Sequence, residues 1–183
     1  MIDPIPAQHR PIFLDRDQFI RLWGQHFREH SRFYGFALPL IVVACWYFQS
    51  HYQLGLNVVT PSLPSKLVLI EKGVQPTRGQ MFSFRWHGGA PWPDGAGFLK
   101  IAAGMPGDFV TVQGREVFLN GKLMGVAKQR SSSGERLAVI APGVIPPGRI
   151  YAYAPHPDSL DSRYEKTGLI PQGEVIGVAR ALF

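Results

Sequence analysis

Three short segments of this 183-residue chain carry the side chains best suited to chemistry. The first, residues 60–64, reads Thr-Pro-Ser-Leu-Pro, and its prolines restrict the backbone on both sides of Ser62. The second places Lys100 ahead of a Gly-Met-Pro-Gly-Asp turn at 104–108. The third, residues 159–164, reads Ser-Leu-Asp-Ser-Arg-Tyr. Because Ser and Pro are ordinary turn residues, the first segment acquires meaning only together with the other two.

A serine hydroxyl becomes a strong nucleophile only when a base removes its proton. The six histidines form no recognisable partner motif, so a Ser-His-Asp triad has poor support. A lysine can be the base if burial lowers the pKa of its amine, and Ser-Lys pairs are an established variant of the triad. Lys100 fits because residues 97–103 around it include no carboxylate. The alternative is an edge-strand lysine whose ammonium points to water.

The longest apolar stretch, residues 33–52, organises the rest of the chain. Residues 33–48 carry no charge, and aromatic residues at both ends extend the stretch to about the 20 residues that a membrane-spanning helix needs. We therefore predict a transmembrane helix at 33–52, the alternative being a buried helix of a soluble core. Four arginines lie within residues 16–32, and no Lys or Arg follows the stretch until Lys66. The positive-inside rule then predicts a cytoplasmic N-terminus.

The regions on either side of this stretch are expected to differ in location. Residues 1–32 are predicted as a cytoplasmic segment, in which 15–30 form either an amphipathic interfacial helix or a simple lead-in to the span. Residues 53–183 are predicted as one domain outside the cytoplasm. The Val-Val-Ala-Cys sequence at 42–45 resembles a lipoprotein cleavage site and leaves a removed signal as an alternative. We expect no cleavage, because the region before the apolar run is longer than a usual n-region.

The domain after the span is predicted to be mainly β. The chain has 20 Gly and 16 Pro, and short apolar segments alternate with turn signals, as in an all-β sandwich or a partly open barrel. Asn120-Gly121 is a strong type I′ hairpin signal. The predicted strands are 54–59, 66–71, 81–86, 98–103, 109–113, 116–119, 122–126, 137–140, 149–153 and 174–182.

Composition argues against several classes of partner. The single cysteine excludes an intramolecular disulfide, and the histidines lack paired ligand spacing, so we predict neither a metal nor another cofactor. The net charge of +6 comes from scattered basic residues without a dense run. This pattern favours an anionic membrane surface over nucleic acid as a partner.

Taken in order, the three segments resemble the conserved boxes of bacterial type I signal peptidases. The resemblance covers about residues 57–183, and the ordered combination is specific where each box alone is weak. It implies a signal-peptidase-like fold of short antiparallel strands behind one N-terminal transmembrane helix. The matching residues are Ser62-x-Pro64, Lys100-x3-Gly104-x-Pro106-Gly107-Asp108 and Ser159-x-Asp161-Ser162-Arg163-Tyr164, with Gly-Leu-Ile-Pro at 168–171 and Gly177 resembling the family's closing segment.

The resemblance also implies roles for the residues that react with the substrate. Ser62 would be the nucleophile and Lys100 the general base. The backbone N–H of Ser62 and the hydroxyl of Thr60 would form the oxyanion hole, where two donors stabilise the developing negative charge.

Five further positions would support this pair. Ser159 would hydrogen-bond and orient the lysine amine, and Gly107 and Asp108 would shape the turn beneath the lysine. Asp161 and Arg163 would form a supporting ion pair, for which a plain structural salt bridge is the alternative.

The sequence departs from the housekeeping pattern at four places. Ser-Leu-Pro at 62–64 replaces the usual Ser-Met-x-Pro, and Arg-Gly-Gln at 78–80 stands where Arg-Gly-Asp is expected. Ile101 follows Lys100 in place of Arg, and residues 165–167 lengthen the approach to Gly168. The Ser-Leu-Pro form and the small size are most similar to the TraF-type peptidases of conjugative plasmids. Those enzymes process pilin precursors, and some join the pilin ends into a circle.

The resemblance therefore implies a membrane-bound serine endopeptidase with a Ser-Lys dyad, acting on a membrane-inserted conjugative propilin. Its expected location is the bacterial inner membrane, with residues 53–183 in the periplasm. The expected partners are the precursor, the lipid bilayer and the conjugative transfer machinery. Two alternatives stay open, namely a general signal peptidase for secreted precursors and a catalytically silent, membrane-anchored scaffold of a conjugative secretion system.

Overall fold

The computed structural model describes residues 15–56 and 67–182, which form two compact units, Met1–Tyr47 and Phe48–Phe183. Two helices come first, α1 (Arg16–Glu29) and α2 (Ser31–His51). Neither helix buries a residue, and Phe36 of α2 is 82% exposed. With 21 residues and a mean hydropathy of 1.4, α2 is long and apolar enough to cross a membrane. The predicted apolar helix therefore forms, starting slightly earlier than residue 33.

The second unit is built from short β-strands. They form two antiparallel sheets within the described residues, one of seven strands in the order β1-β2-β11-β3-β4-β9-β10 and one of four in the order β7-β6-β5-β8. The mainly β fold that the sequence predicted behind an N-terminal apolar helix is confirmed. The strands are β1 (Tyr52–Leu56), β2 (Leu67–Lys72), β3 (Met81–Arg85), β4 (Gly97–Gly104), β5 (Phe109–Gln113), β6 (Glu116–Leu119), β7 (Lys122–Val126), β8 (Gly143–Val144), β9 (Arg149–Tyr153), β10 (Ile170–Pro171) and β11 (Val175–Ala181).

Strand β4 lies inside the larger sheet, between β3 and β9, whereas β1 forms one of its edges. On β4, Lys100 pairs with Phe82 of β3. Phe82 is fully buried, and burying such a side chain contributes about 1.5–3 kcal/mol. The strand that carries Lys100 is therefore held on both sides by core strands.

Apolar side chains bury on both sheets. The largest cluster joins the smaller sheet to the segments after it and includes Val117, Ile145, Tyr151 and Tyr164. A second cluster packs on the larger sheet around Phe82, Phe84, Ala102, Ile150, Ala152, Ile170 and Val175.

The Asn120-Gly121 turn confirms the predicted hairpin between β6 and β7. Asn120 has a φ of 49° and Gly121 a φ of 80°, which are the two positive values that a type I′ turn requires. Strands β5, β6 and β7 match their predicted bounds.

The predicted strand at 137–140 is wrong. This stretch makes only an isolated bridge between Val139 and Tyr164. Its backbone polar groups bond to partners outside any strand. The Arg115 guanidinium donates to the Leu137 carbonyl, and the Ile140 N–H donates to the Arg163 carbonyl. Leu137 and Ile140 are still buried, which explains the apolar pattern that suggested a strand.

Candidate active site

Lys100 is buried in the middle of β4, with 4% of its surface exposed. Its Nζ lies 5.7 Å from the centre of the Phe98 ring, two residues earlier on the same face of the strand. Trp86 stacks on Phe98 at 4.6 Å, so the ring beside the amine is itself packed against aromatic carbon. The sequence prediction of an apolar setting for this lysine agrees with these contacts.

Burial in this setting lowers the pKa of the Lys100 amine from 10.5 to about 8. Loss of solvation is the main cause, because an ammonium is poorly stabilised by apolar neighbours. The carboxylate of Asp161 opposes this effect, and the guanidinium of Arg163 adds to it. A neutral amine with a pKa close to working pH is what general-base catalysis requires.

Asp161 and Arg163 form a buried ion pair in the segment between β9 and β10. Arg163 Nε donates to Asp161 Oδ1 at 2.8 Å and Nη2 donates to Oδ2 at 3.0 Å. Their side chains are 0% and 3% exposed. The backbone N–H of Ala154 also donates to Asp161 Oδ2 at 3.1 Å. Such a pair is tolerated in the core because both charges are hydrogen-bonded.

Ser159 departs from the sequence prediction. Its side chain is buried, and its Oγ has no hydrogen-bond partner among the residues that the structure describes. The expected bond to the Lys100 amine is therefore not formed. Ser159 is instead held by its main chain, since its carbonyl accepts from Arg163 Nη2 at 3.3 Å. A buried hydroxyl without a partner costs about 1–3 kcal/mol.

Asp108 closes the turn that follows β4. Its Oδ2 accepts the Met105 N–H at 2.7 Å, and Gly107 supplies the positive φ of 93° that the turn needs. Asn120 Nδ2 donates to Oδ1 at 2.8 Å. Asp108 thus fixes the end of the lysine strand, and it makes no contact with the Asp161–Arg163 pair among the hydrogen bonds of the described chain.

Arg78 is a residue whose part in the site the sequence did not predict. Its Nη1 and Nη2 lie 2.5 and 2.9 Å from the two oxygens of Asp108, and this pairing lowers the pKa of that carboxyl to about 2. The neighbouring Gly79 N–H donates to the Ala102 carbonyl of β4 at 2.8 Å. The Arg-Gly-Gln sequence at 78–80 was noted only as a departure from a box, although its arginine could have been matched with the one carboxylate of the 104–108 turn.

A cleft of about 620 Å³ opens beside Lys100. Strand residues on one part of its surface include Leu54, Leu56, Val68 and Ser83. Residues of irregular segments complete it, among them Trp92, Ser132 and Leu160. Such a mostly apolar cleft with one buried amine can take an extended peptide whose reacting carbonyl lies near that amine.

Two predicted site residues, Thr60 and Ser62, lie outside the described residues. Of the others, Lys100, Asp161 and Arg163 interact electrostatically, whereas Asp108 pairs with Arg78. Within residues 15–56 and 67–182, no three His, Cys, Asp or Glu side chains come together as metal ligands would.

Comparison with known proteins adds three findings. Residues 27–183 match the family described as "Signal peptidase, peptidase S26". The conjugal transfer protein TraF of Agrobacterium fabrum (strain C58 / ATCC 33970) is 31% identical over 90 residues, covering 48% of this chain and 49% of that protein. The match thus spans about half the length of this relative. A signal peptidase I from Enterococcus faecalis V583 is 24% identical and has a TM-score of 0.34, over 57% of this chain and 96% of that one.

The family match extends from α1 to the end of the chain and includes every predicted site residue, from Thr60 to Arg163. It supports a peptidase role and agrees with the resemblance that the ordered boxes suggested. On this evidence the chain belongs to the signal peptidase family, peptidase S26.

Proposed function

We propose that this protein is a membrane-anchored serine endopeptidase in which Ser62 is the nucleophile and Lys100 the general base. The observation that carries the proposal is the buried Lys100 amine, whose pKa is lowered to about 8 beside a peptide-sized cleft. A lysine in that state has little use as a structural ion, because no carboxylate of the described residues forms a salt bridge with it. It is suited to accept a proton from a hydroxyl.

The connection between β1 and β2 supports pairing Ser62 with Lys100. This connection contains Thr60 and Ser62, and it begins after Leu56 and ends before Leu67, which are paired across the two strands. Leu56 and Val68, on either side of it, line the same cleft as Lys100. Ser62 is five residues from Leu67, and an extended chain spans at most about 3.3–3.6 Å per residue. The chain length therefore keeps Ser62 close to the start of β2, whose next residue Val68 lines the cleft.

In the proposed reaction, neutral Lys100 takes the Ser62 hydroxyl proton as Oγ attacks the scissile carbonyl. The Ser62 N–H and the Thr60 hydroxyl stabilise the oxyanion. The C–N bond then breaks, Lys100 returns the proton to the leaving amine, and an acyl-serine ester remains. Water, deprotonated by Lys100, attacks this ester, and Lys100 then passes the proton to the leaving Ser62 Oγ, which restores the free hydroxyl. The Asp161–Arg163 pair holds the segment that packs near the lysine.

The proposed substrate is a membrane-inserted precursor, and specifically a conjugative propilin. The similarity to a conjugal transfer protein supports this choice. Helix α2 would anchor the enzyme in the bacterial inner membrane, which would confine cleavage to the periplasmic face. Conjugative transfer machinery would then be the natural partner, and joining of the pilin ends would correspond to attack on the acyl-serine ester by the pilin's own amine in place of water.

The test is a cleavage assay in membranes with a tagged conjugative propilin, comparing wild type with Ser62→Ala and Lys100→Ala. Both variants should lose the processed product while staying inserted and folded, because each removes one half of the dyad. A secretory precursor serves as the second substrate, and its equal cleavage would point to a general signal peptidase. Mass spectrometry distinguishes linear from circular product. Unchanged processing in both variants would refute the proposal that this protein is the enzyme. The alternative of a membrane-anchored scaffold would then remain.

A further inference from the structure

Lys166 joins two irregular segments that line the cleft. Its Nζ donates to the Ala90 carbonyl at 2.7 Å and to the two Glu135 oxygens at 2.8 and 2.7 Å. Ala90 belongs to the segment between β3 and β4, residues 86–96, and Glu135 to the segment between β7 and β8, residues 127–142. We call these two segments the cleft loops.

The ammonium of Lys166 is well fixed for a residue near the surface. Three acceptor atoms match its three protons, and its side chain is only 18% exposed. The backbone around Lys166 is anchored, because the Gly168 N–H donates to the carbonyl of the buried Tyr164 and the Glu165 N–H donates to the Ala138 carbonyl. Lys166 therefore holds the cleft loops from a rigid base.

The first cleft loop leads directly to the aromatic surface around the reactive lysine. Pro91, Trp92 and Pro93 of this loop line the cleft. The Trp92 ring meets Phe98 edge-on at 5.9 Å, and Phe98 lies next to the Lys100 amine. A shift of this loop would thus change the shape of the cleft close to Lys100.

We propose that Lys166 is a positioning residue that sets the width of the cleft and so limits the size of the precursor side chain admitted beside Lys100. The substrate part of this inference rests on the proposed peptidase function. Residues 165–167 lengthen the approach to Gly168 relative to the family pattern, and Lys166 stands at the centre of that addition. The added residues thus contain the lysine whose hydrogen bonds link the two cleft loops.

Lys128 provides a matched control. It belongs to the second cleft loop, lines the same cleft and forms an ion pair with Asp158, but its side chain is 48% exposed and it makes no bond to the first cleft loop among the described residues. Lys128→Met and Lys166→Met remove the same charge from the same cleft. Only the second removes the link between the loops.

The test uses the full-length protein in liposomes with tagged propilins that carry Ala, Val or Phe before the mapped cleavage site. In Lys166→Met, the preference for Ala over Phe in kcat/KM should fall about tenfold, the scale of discrimination that pocket shape gives. The kcat for the Ala propilin should stay near the wild-type value. Lys166→Arg and Lys128→Met should keep the preference. An unchanged preference in Lys166→Met, or none in wild type, would overturn the proposal.

A second measurement does not depend on cleavage. Amide hydrogen exchange in the first cleft loop, residues 86–96, should be faster in Lys166→Met than in Lys128→Met, because Lys166 bonds to that loop and Lys128 does not among the described residues. Equal exchange in the two variants would disprove the fastening whatever the cleavage result. If wild type cleaves no propilin, the proposed function fails, whereas the exchange experiment still decides whether Lys166 holds the loops.

Discussion

At the scale of single residues, the charge on the buried Lys100 amine opposes folding. A pKa lowered from 10.5 to about 8 corresponds to about 3 kcal/mol of disfavoured charge. The folded-state pKa lies below the unfolded one, so this penalty is fully present below pH 8. It disappears as the pH rises from about 8 to 10.5, because the unfolded chain alone still holds the proton in that window.

We therefore expect Lys100→Met to abolish cleavage and yet to stabilise the protein at pH 7, by about 2 kcal/mol. The gain should shrink as the pH approaches 10. Urea unfolding of the full-length protein in detergent at pH 7 and pH 10, alongside the propilin assay, would measure both effects. Lys122→Met, which changes an exposed lysine outside the cleft, should alter neither. A destabilised Lys100→Met protein at pH 7 would contradict the burial penalty.

The residues of the site differ in how far the sequence could predict them. Lys100, Asp161 and Arg163 could be named because each stands in a short ordered motif. Arg78 was missed because its partner Asp108 is 30 positions away, and no local pattern records such a pair. The missing Ser159 hydrogen bond shows the same limit, since a motif specifies residue types and not the direction of a hydroxyl.

At the scale of elements, the position of Lys100 depends on β11, which inserts between β2 and β3. The pairing of β11 with β3 is irregular between Val175 and Gly177. A Cβ at Gly177 would lie 1.9 Å from the Glu71 carbonyl oxygen, so only glycine fits there. Because β3 in turn pairs with β4, this close approach helps to set the register opposite the lysine.

Gly177→Ala should therefore destabilise the second unit by about 3 kcal/mol, the upper part of the range for overpacking. The clash involves backbone on a neighbouring strand, which cannot turn away as a side chain can. Gly173→Ala is the control, because no atom lies within 4 Å of a Cβ there and its φ is not positive. Thermal unfolding of the full-length proteins would compare the two. Equal melting temperatures would show that β11 can shift without loss.

The strands show where sequence patterns suffice. Strands β5 to β7 were predicted because their apolar residues alternate and the Asn120-Gly121 turn fixes the hairpin. Strands β8 and β10 were missed, since each has two residues and forms only because a long neighbouring strand offers it partners. A two-residue strand has no hydrophobic periodicity, so its formation depends on pairing with a neighbouring strand in the folded structure.

At the scale of the whole molecule, α2 is the helix that would anchor the chain in a membrane. It exposes apolar residues along its length, and a helix of this composition exposed to water would be unfavourable. The four arginines within residues 16–32, together with the lack of Lys and Arg in residues 53–65, set the expected direction across the bilayer. Orientation is decisive for the proposed function, because the proposed peptidase could act on a translocated precursor only if the second unit faces the periplasm.

We expect a membrane-impermeant maleimide to reveal this orientation. In a Cys45→Ser background, Lys122→Cys at the exposed start of β7 should be labelled in intact spheroplasts. Asp17→Cys in α1 should be labelled only after lysis, because the positive-inside rule keeps that segment in the cytoplasm. The opposite pattern would reverse the topology and place the cleft in the cytoplasm. Labelling of both positions in intact cells would show that α2 does not span the bilayer, which would remove the reason to expect a membrane-inserted precursor as substrate.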